Sequence, residues 1–284
     1  MMSKKKFLAI YAKSFNWAGA FLPKEIYEDC SSLYNFCRSV DDIADCDDKL
    51  SVKVEKMNTF IDSFNSKNCG DEIILDMKRL IIKYNISDKI IFDLFDGVRT
   101  DLVERLEFLS EKEIFLYSYR VAGTVGLMMA KILRVNDRVA LLGAIDLGIA
   151  MQLTNISRDV IEDKMSNRFY IKSSFSDLKN TIGIADKFYD NAFFSIKAIP
   201  FRMRFAIIVA RRVYRRIGYK VLSCGNFETY EKSGRIYVRN FEKIFETIFS
   251  LFDLLKLSLA ESSENTTKQY HRLINEDIDY NARF

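Results

Sequence analysis

The segments RSVDDIAD (38–45) and TNISRDVIEDK (154–164) decide the fold expected of this chain. In each segment two aspartates stand four residues apart: Asp41 and Asp45 in the first, Asp159 and Asp163 in the second. On a helix such carboxylates project from one face about one turn apart, where like charges repel each other. A divalent cation relieves that repulsion, and Mg²⁺ suits all-oxygen sites that substrate phosphates complete. The spacing therefore predicts a helical protein that handles a diphosphate.

Each acidic segment extends into a longer polar stripe on one helix face. In the second segment four side chains fall within roughly 80° of one another on a helical wheel: Gln152, Asn155, Asp159 and Asp163. In the first segment the shared face carries four more: Tyr34, Arg38, Asp41 and Asp45. Because the residues around the second stripe are mostly apolar, we expect it to face an interior cavity. Two such stripes turned inward would form one acidic chamber.

Composition excludes several other kinds of site. The chain has 284 residues, 49% of them hydrophobic, so we expect one domain over residues 1–284. We place its core at about 11–260 and a polar tail at about 261–284, either loosely held or forming a short final helix. The single histidine, His271, lies in that tail and is expected at the surface, which leaves little for zinc or serine–histidine chemistry. The five cysteines form no CxxC pair and fit free thiols in a reducing cytosol.

No targeting or membrane-spanning signal is apparent. The first apolar run, FLAIYA (7–12), is too short for a signal peptide. The most apolar region, residues 121–156, contains charges that leave no uncharged run of about 18 residues, so we expect no transmembrane helix. The net charge of +4 is too mild to indicate nucleic acid binding. We therefore expect a cytoplasmic protein, with peripheral attachment to a membrane left open.

The hydrophobic pattern is helical almost throughout. The only two prolines, Pro23 and Pro200, stand where helices could begin. The strand signal is weak everywhere, so an all-α bundle is predicted. The expected helices cover residues 24–45, 51–66, 71–84, 88–108, 111–133, 137–164, 174–197, 200–223 and 237–260.

An acidic cluster at a helix end is often no more than a solvated patch. Here two clusters occur, each with a spacing of four, a neighbouring arginine and apolar flanks, and the combination favours a functional site. At these residues the sequence resembles the squalene/phytoene synthase family. Other segments carry the same resemblance: AKSF (12–15), YSYRVAGTVG (117–126), NRFY (167–170) and ARRVYRRIG (210–218). The matching motifs extend over about residues 11 to 240.

The resemblance implies an all-α isoprenoid synthase bundle with a central cavity and a Mg²⁺-dependent prenyltransferase activity, with Mn²⁺ as an alternative metal. Such enzymes join two prenyl diphosphates head to head through a cyclopropylcarbinyl diphosphate. By the same resemblance, the metal would be held by five residues: Asp41, Asp45, Asn155, Asp159 and Asp163. A dry apolar pocket would protect the carbocation from water.

The resemblance also assigns roles to polar residues around the acidic stripes. Those implied to bind the diphosphates or the intermediate are Lys13, Ser14, Arg38, Gln152, Asn155, Arg158 and Arg235. Tyr119 and Tyr214 match family tyrosines near the reacting carbons, where an aromatic face stabilises positive charge. The alternatives are surface polarity for the basic residues and ordinary packing for the tyrosines.

Some positions depart from the family pattern or remain open. Arg120 stands where a small residue is expected, which puts the shape of the pocket in doubt. Gly123 and Gly126 lie within a helical stretch, so tight packing or a helix break should compensate for them. The arginines of ARRVYRR read as a solvated face or, less favoured, as a contact with anionic lipid.

Two other classes of protein share parts of the pattern. Chain-elongating prenyl synthases also carry DDxxD, but they place paired aspartates about three residues after the glutamine of GxxxQ, whereas Asp159 follows Gln152 by seven. A non-catalytic scaffold would be expected to lose acidic ligands, and all four aspartates are present. The favoured product is phytoene from two geranylgeranyl diphosphates. A C30 synthase using farnesyl diphosphate is the alternative. NADPH is not expected, and the oligomeric state is open.

Overall fold

The computed structural model describes residues 13–259 and 267–284, apart from the side chains of residues 13–15. Within these ranges it has fourteen α-helices and no strand, which confirms the all-α class. The helices are α1 Lys13–Gly19, α2 Lys24–Asp45, α3 Leu50–Asn65, α4 Glu72–Tyr84, α5 Asp88–Arg99, α6 Glu111–Ser118, α7 Thr124–Ile132, α8 Arg138–Arg158, α9 Val160–Met165, α10 Phe175–Ser195, α11 Phe201–Leu222, α12 Phe227–Lys232, α13 Asn240–Leu259 and α14 Lys268–Ile274.

Helix α8 forms the centre of the bundle. It packs against α7, α10 and α11, while α2 packs against α4 and α7. Its first turn is capped by the side chain of Asp137, which accepts a hydrogen bond from the Ala140 amide. Within the part of the chain that the structure describes, only α8 is long and apolar enough to cross a membrane, but 67% of that stretch is buried in the molecule, as in a core helix. The two acidic stripes lie on α2 and at the end of α8, facing the same interior.

Two glycines allow α7 and α8 to cross at very short range. A Cβ atom at Gly126 would lie 2.2 Å from the Ala144 carbonyl oxygen, and one at Gly148 would lie 2.2 Å from that of Ala122. Just before the crossing, Tyr119–Gly123 forms one turn of π-helix between α6 and α7. The cost of placing the VAGTVG glycines in a helix is therefore offset by close packing, and the helix also changes type locally.

Two predicted helices are wrong in part of their length. The helix predicted at 88–108 ends at Arg99, after which the chain turns and then forms an isolated bridge at Leu106. There Leu106 exchanges backbone hydrogen bonds with Asn167 and Phe169, at 2.9 and 3.0 Å. The helix predicted at 137–164 breaks at Asp159, whose φ of −106° and ψ of 15° separate α8 from α9. Both breaks lie beside the acidic segments.

The end of the chain packs against the bundle. Residues 267–284, which we call the C-terminal clasp, contain α14 and lie against α6. The expected surface position of His271 is wrong: only 8% of the residue is exposed. Its Nε2 lies 2.7 Å from Asp146 Oδ1 and its Nδ1 lies 2.9 Å from the Tyr280 hydroxyl. Of the two alternatives for the tail, the short final helix is correct for the described part.

Candidate active site

A cavity of about 390 Å³ lies between α2, α7, α8, α10 and α11. Most of its wall is apolar, with small and aliphatic side chains such as Val121, Val125, Leu147 and Ala210. Seven lining residues form a polar group: Tyr34, Arg38, Asp41, Gln152, Asn155, Arg158 and Tyr214. With the neighbouring Asp45, Asp159 and Asp163, we call them the polar end of the cavity. The structure thus contains the central cavity expected from the sequence, with residues of both acidic stripes in its wall.

The first acidic segment supplies one carboxylate to the cavity wall. Loss of water around the side chain, followed by the charge of Asp45, raises the pKa of Asp41 to about 7. Arg38 lies on the same face and pairs with Asp42 at 2.5 Å and with Asp45 at 3.8 Å. Asp41 itself accepts no ion pair within the described residues, so it is the carboxylate of this segment that is least compensated.

The second acidic segment lies at the break between α8 and α9. Arg158 donates to both carboxylate oxygens of Asp159, with its Nε 2.7 Å from Oδ1. Arg235 reaches the same carboxylate at 3.3 Å, so it belongs to this group although it is distant in sequence. Burial and the charge of Asp159 raise the pKa of Asp163 to about 7. Each segment thus has an aspartate with a raised pKa beside aspartates that pair with arginine: Asp42 and Asp45 in the first segment and Asp159 in the second.

Two residues that sequence reasoning missed connect the two segments. Arg168 donates to Asp45 at 2.9 Å, and its charge also lowers the pKa of Asp163. Asp101 raises the pKa of both Asp41 and Asp163, so it lies within electrostatic reach of both segments. Its own carboxylate accepts hydrogen bonds from the Tyr117 and Tyr170 hydroxyls. Arg168 could have been noticed in the NRFY motif, whereas Asp101 was hidden in the part of 88–108 mistaken for a helix.

Amide and phenol groups complete the polar end. Asn155 donates to Gln152 at 3.4 Å, and its Oδ1 is buried without a hydrogen-bond partner among the described residues. Burial raises the pKa of the Tyr214 hydroxyl, while the charge of Arg158 and a hydrogen bond from Asn155 oppose that shift. Gln152, Asn155 and Tyr214 therefore lie beside the acidic segments and in the cavity wall.

Tyr119 requires a correction. Its side chain is fully buried and does not line the cavity. Its hydroxyl donates to Asp93 at 2.9 Å, and its ring lies edge-on against Tyr280 of the clasp. The role near the reacting carbons does not fit this position, and we assign Tyr119 to packing. The side chains of Lys13 and Ser14 lie outside the described residues.

Arg120 and the ARRVYRR arginines also differ from expectation. Arg120 is absent from the cavity lining, and its Cβ lies 2.7 Å from where a Cβ at Gly97 of α5 would stand, so it does not restrict the pocket. Three of the ARRVYRR arginines are ion-paired to acids of α10 and α13 rather than solvated: Arg211 to Asp190, Arg212 to Glu246 and Asp253, and Arg215 to Asp186 and Asp190. They tie three helices together, while the fourth, Arg216, is 44% exposed and lies 4.0 Å from Glu242.

The donor atoms at the polar end suit a hard cation only in part. Within residues 13–259 and 267–284, no three His, Cys, Asp or Glu side chains form a group that could hold a metal ion by themselves. The atoms present are oxygens: the uncompensated carboxylates of Asp41 and Asp163 and the unpartnered Oδ1 of Asn155. Such a set fits Mg²⁺ when diphosphate oxygens supply the remaining ligands.

The sequence also matches known proteins. The family model described as squalene/phytoene synthase matches residues 8–174, more than half of the chain. A phytoene synthase of Pseudescherichia vulneris is 27% identical over 247 residues, covering 75% of this chain and 80% of its own length. A 15-cis-phytoene synthase of Paracoccus sp. is 29% identical over 243 residues, covering 75% and 79%.

Solved structures share the fold. A dehydrosqualene synthase crystallised with a ligand superimposes with a TM-score of 0.73 at 23% identity, covering 89% of this chain and 95% of that one. A squalene synthase from Alicyclobacillus acidocaldarius gives a TM-score of 0.68 at 15% identity, covering 78% and 92%. The family model spans both acidic segments, and the all-α bundle with its polar end is consistent with that match. This chain belongs to the squalene/phytoene synthase family.

Proposed function

We propose that this protein condenses two molecules of geranylgeranyl diphosphate head to head, through a cyclopropylcarbinyl diphosphate, to give phytoene. The observation that carries the proposal is the arrangement of the cavity, in which residues of both acidic segments and two arginines adjoin one long apolar wall. Membership of the family supports the coarser statement, since its members are prenyltransferases of the phytoene and squalene synthase type.

The polar end would receive the diphosphates. Arg38 and Arg158 line the cavity and carry guanidinium groups, which bind phosphate oxygens in a bidentate manner. Both are held on carboxylates, Arg38 on Asp42 and Arg158 on Asp159. A diphosphate would compete for these guanidinium groups and leave the carboxylates available to a cation. The pairing therefore keeps the arginines in position before substrate binds.

Asp41 and Asp45 on one side, and Asp159 and Asp163 with Asn155 on the other, would hold Mg²⁺. When bound, the ion would neutralise the negative charge that builds up on a departing diphosphate. Mn²⁺ could take the same oxygen ligands. The raised pKa of Asp41 and Asp163 supports this assignment, because two uncompensated carboxylates in one pocket are stabilised by a cation.

The apolar wall would handle the carbocation. Its aliphatic side chains exclude water that would otherwise capture the cation, and they would hold the prenyl tails along the cavity. Tyr214 belongs to the polar end and lines the same cavity as the apolar wall, so its ring would lie near positive charge beside the departing diphosphate. Gln152 and Asn155, one turn apart on α8, would orient the diphosphate or the intermediate.

The choice of geranylgeranyl diphosphate rests on the names of the relatives. Those at 27% to 29% identity are phytoene synthases. The folds of the dehydrosqualene and squalene synthases do not bear on chain length at 23% and 15% identity. A synthase that releases phytoene uses no NADPH, and we propose the cytoplasm, where a soluble diphosphate substrate is available, as its location.

Mass analysis of the hydrocarbon tests this proposal. The full chain would be incubated with Mg²⁺ and either geranylgeranyl or farnesyl diphosphate, with and without NADPH. We expect a C40 hydrocarbon from the longer substrate, independent of NADPH. A C30 hydrocarbon formed only from farnesyl diphosphate would overturn the choice of substrate. A longer diphosphate in place of a hydrocarbon would overturn the head-to-head reaction and indicate chain elongation.

A further inference from the structure

Helix α13 is packed with its polar side toward the protein. Three acidic residues of this helix face α11 and are ion-paired there: Glu242 with Lys220 at 2.7 Å, Glu246 with Arg212 at 2.9 Å, and Asp253 with Arg212 at 2.8 Å. Lys243 and Ser250 on the same side are buried. An ordinary surface helix buries its apolar stripe and exposes its charges. The orientation of α13 is the reverse.

The outward side of α13 is consequently apolar. Nine of its large hydrophobic residues are between 48% and 86% exposed within the described structure. We call them the α13 face: Phe241, Ile244, Phe245, Ile248, Phe249, Leu251, Phe252, Leu255 and Leu259. At about 100° per residue they cover an arc of roughly 160°. Nine half-exposed side chains of this size present roughly 800 Å², more than the largest apolar patch of a typical monomer.

We propose that the α13 face docks onto the surface of a bilayer containing anionic lipid. A helix that pairs with another helix uses a narrow seam flanked by charged positions. On α13 the positions beside the seam, Ile244, Phe249 and Leu251, are apolar too, which suits a broad, uniform surface. Phenylalanine, leucine and isoleucine on one helix face are the residues that enter the boundary between headgroups and acyl chains.

The charges around the face favour an anionic lipid. Among the described residues of α13, the acids are turned inward and paired, and the exposed charged side chain is Lys256. Lys256 lies toward one end of the helix, while Arg216 of α11, 44% exposed, lies near Glu242 at the other. Positive charge at both ends of an apolar strip complements a negative headgroup layer.

The docking surface lies one helix layer from the cavity. On one side α11 lines the cavity with Ala206, Ile207 and Ala210, and on the other it holds α13 through Arg212 and Lys220. Packed helices are separated by about 8 to 10 Å, so a docked bilayer would lie close to the apolar wall. A hydrocarbon product would then have a short path into lipid. This consequence rests on the proposed function, whereas the docking surface does not.

Flotation with vesicles tests the surface. The full chain would be mixed with vesicles of phosphatidylcholine alone or with about 30% phosphatidylglycerol, with no substrate present. We expect it to float with the mixed vesicles and less with phosphatidylcholine alone. The double variant Phe245→Glu/Phe252→Glu should lose about tenfold or more of this binding, since two charges would enter the boundary region. Circular dichroism melting would establish that the variant folds.

A matched control uses exposed apolar residues elsewhere. Ile82 and Val139 are 84% and 67% exposed, and neither is on α13. The variant Ile82→Glu/Val139→Glu adds the same charge and should bind the mixed vesicles as the original chain does. Loss of binding in this control as well would mean that net charge, not the α13 face, governs attachment, and would overturn the proposal.

The single tryptophan gives an independent measurement. Trp17 of α1 donates its indole Nε1–H to the Thr247 hydroxyl of α13 at 2.9 Å. Vesicles carrying brominated acyl chains should therefore quench its fluorescence, and the quenching should disappear in Phe245→Glu/Phe252→Glu. Quenching that persists in Phe245→Glu/Phe252→Glu would place the attachment elsewhere and contradict the proposal.

Three results would overturn the inference directly. The first is absence of flotation with mixed vesicles. In the second, the chain does not float, sedimentation shows a dimer, and the dimer dissociates in Phe245→Glu/Phe252→Glu. That result would mean that the α13 face binds a second copy of the chain. The third is flotation only after deletion of residues 1–12, which would show that this segment covers the face. A chain that floats but makes no hydrocarbon rejects the proposed function and leaves the docking surface intact.

Discussion

The polar end of the cavity and the contact between the C-terminal clasp and the bundle both hold aspartates close to arginine or tyrosine, but the partners of these carboxylates differ. We call the second region the clasp contact. At the clasp contact, Asp93 of α5 accepts hydrogen bonds from the Tyr119 hydroxyl and from Nε and Nη2 of Arg283, at 2.8 to 2.9 Å. Asp146 contacts His271, Thr267 and Asn191. Both carboxylates are saturated by partners supplied by the fold.

At the polar end the pairing is incomplete. Asp41 and Asp163 accept no side-chain hydrogen bond or ion pair from the residues that the structure describes, and the pKa of each is raised to about 7. A carboxylate that has lost much of its surrounding water without gaining partners costs free energy that packing elsewhere must offset. The difference teaches that a saturated carboxylate joins parts of the fold, whereas an unsaturated one is kept for a ligand.

The largest effect is expected from removing a carboxylate at the polar end. Asp41→Ala or Asp159→Ala should lower hydrocarbon formation by on the order of 10³-fold, because the charge that would hold the cation against the diphosphate is lost. Melting temperature should fall little in Asp41→Ala, whereas Asp159→Ala also leaves Arg158 without its carboxylate and should lower it. Product mass analysis under saturating substrate measures the change.

A nearby acid provides the control. Asp48 follows the first acidic segment, is exposed and pairs with Lys56. Asp48→Ala should retain the original turnover. If Asp41→Ala and Asp159→Ala leave cellular function unchanged while the original chain makes no hydrocarbon, the protein is a scaffold rather than an enzyme. Unchanged turnover in both variants would mean that these carboxylates do not hold the cation, and the comparison between the two regions would fail.

Removing a carboxylate at the clasp contact should have a smaller effect, and it should lower stability rather than turnover. Asp93→Asn would leave Arg283 without its carboxylate, and breaking a buried pair in this way costs about 3 kcal/mol. For a chain of this size that corresponds to a fall in melting temperature of roughly 6 to 12 °C. Turnover per folded molecule should not change. Asp96→Asn, on the same helix but exposed and 3.7 Å from Arg99, should alter stability by less than about 0.5 kcal/mol.

The sequence predicts the two acidic stripes, but it does not predict the contacts between distant segments that complete the polar end. The stripes on α2 and α8 follow from residue spacing alone, because a helix brings positions four apart onto one face. The break at Asp159 and the end of α5 at Arg99 lie where distant segments meet, as Leu106 does with Asn167. Spacing within one helix carries no information about such contacts, and Asp101 was missed for that reason.

The local sequence pattern also does not predict that the tail is buried or which side of α13 faces the protein. His271 lies in a polar stretch, yet Asp146, 125 positions earlier, supplies a buried partner. For α13 the spacing predicts a helix with one polar and one apolar side, and the usual rule turns the apolar side inward. The basic residues of α11 reverse that choice, because Arg212 and Lys220 attract the acidic side of α13.

Two tyrosines test the comparison further, because Tyr214 lies at the polar end and Tyr119 lies at the clasp contact. Tyr214→Phe removes a hydroxyl beside Asn155 and Arg158 and should lower turnover by about tenfold with little change in stability, because its ring remains. Tyr119→Phe removes the hydroxyl that donates to Asp93 and should cost about 1 to 2 kcal/mol of stability without affecting turnover. Denaturant unfolding and product analysis of both variants measure the split. A loss of turnover confined to Tyr119→Phe would reverse our assignment.

The smallest effect expected is a pH dependence that only the polar end should show. The pKa of Asp41 is about 7 in the folded protein and lies near 4 in an unfolded chain, so the folded state binds the extra proton between these values. The stability this group contributes is present below about pH 4 and is lost as the pH rises through about 7. Asp41→Asn stays neutral, so its advantage over the original chain should grow between pH 5.5 and pH 8, by about 1 kcal/mol after screening by solvent.

Denaturant unfolding at the two pH values measures this advantage, with Asp48→Asn as the control because that side chain is exposed and lies outside the cavity. Mg²⁺ should bind the ionised carboxylates and raise the melting temperature of the original chain more at pH 8 than at pH 5.5, and less in Asp41→Asn at either pH. An advantage of Asp41→Asn that shrinks with rising pH would mean that Asp41 is compensated by partners in the fold. The polar end would then resemble the clasp contact, and the reason for assigning it to a ligand would be gone.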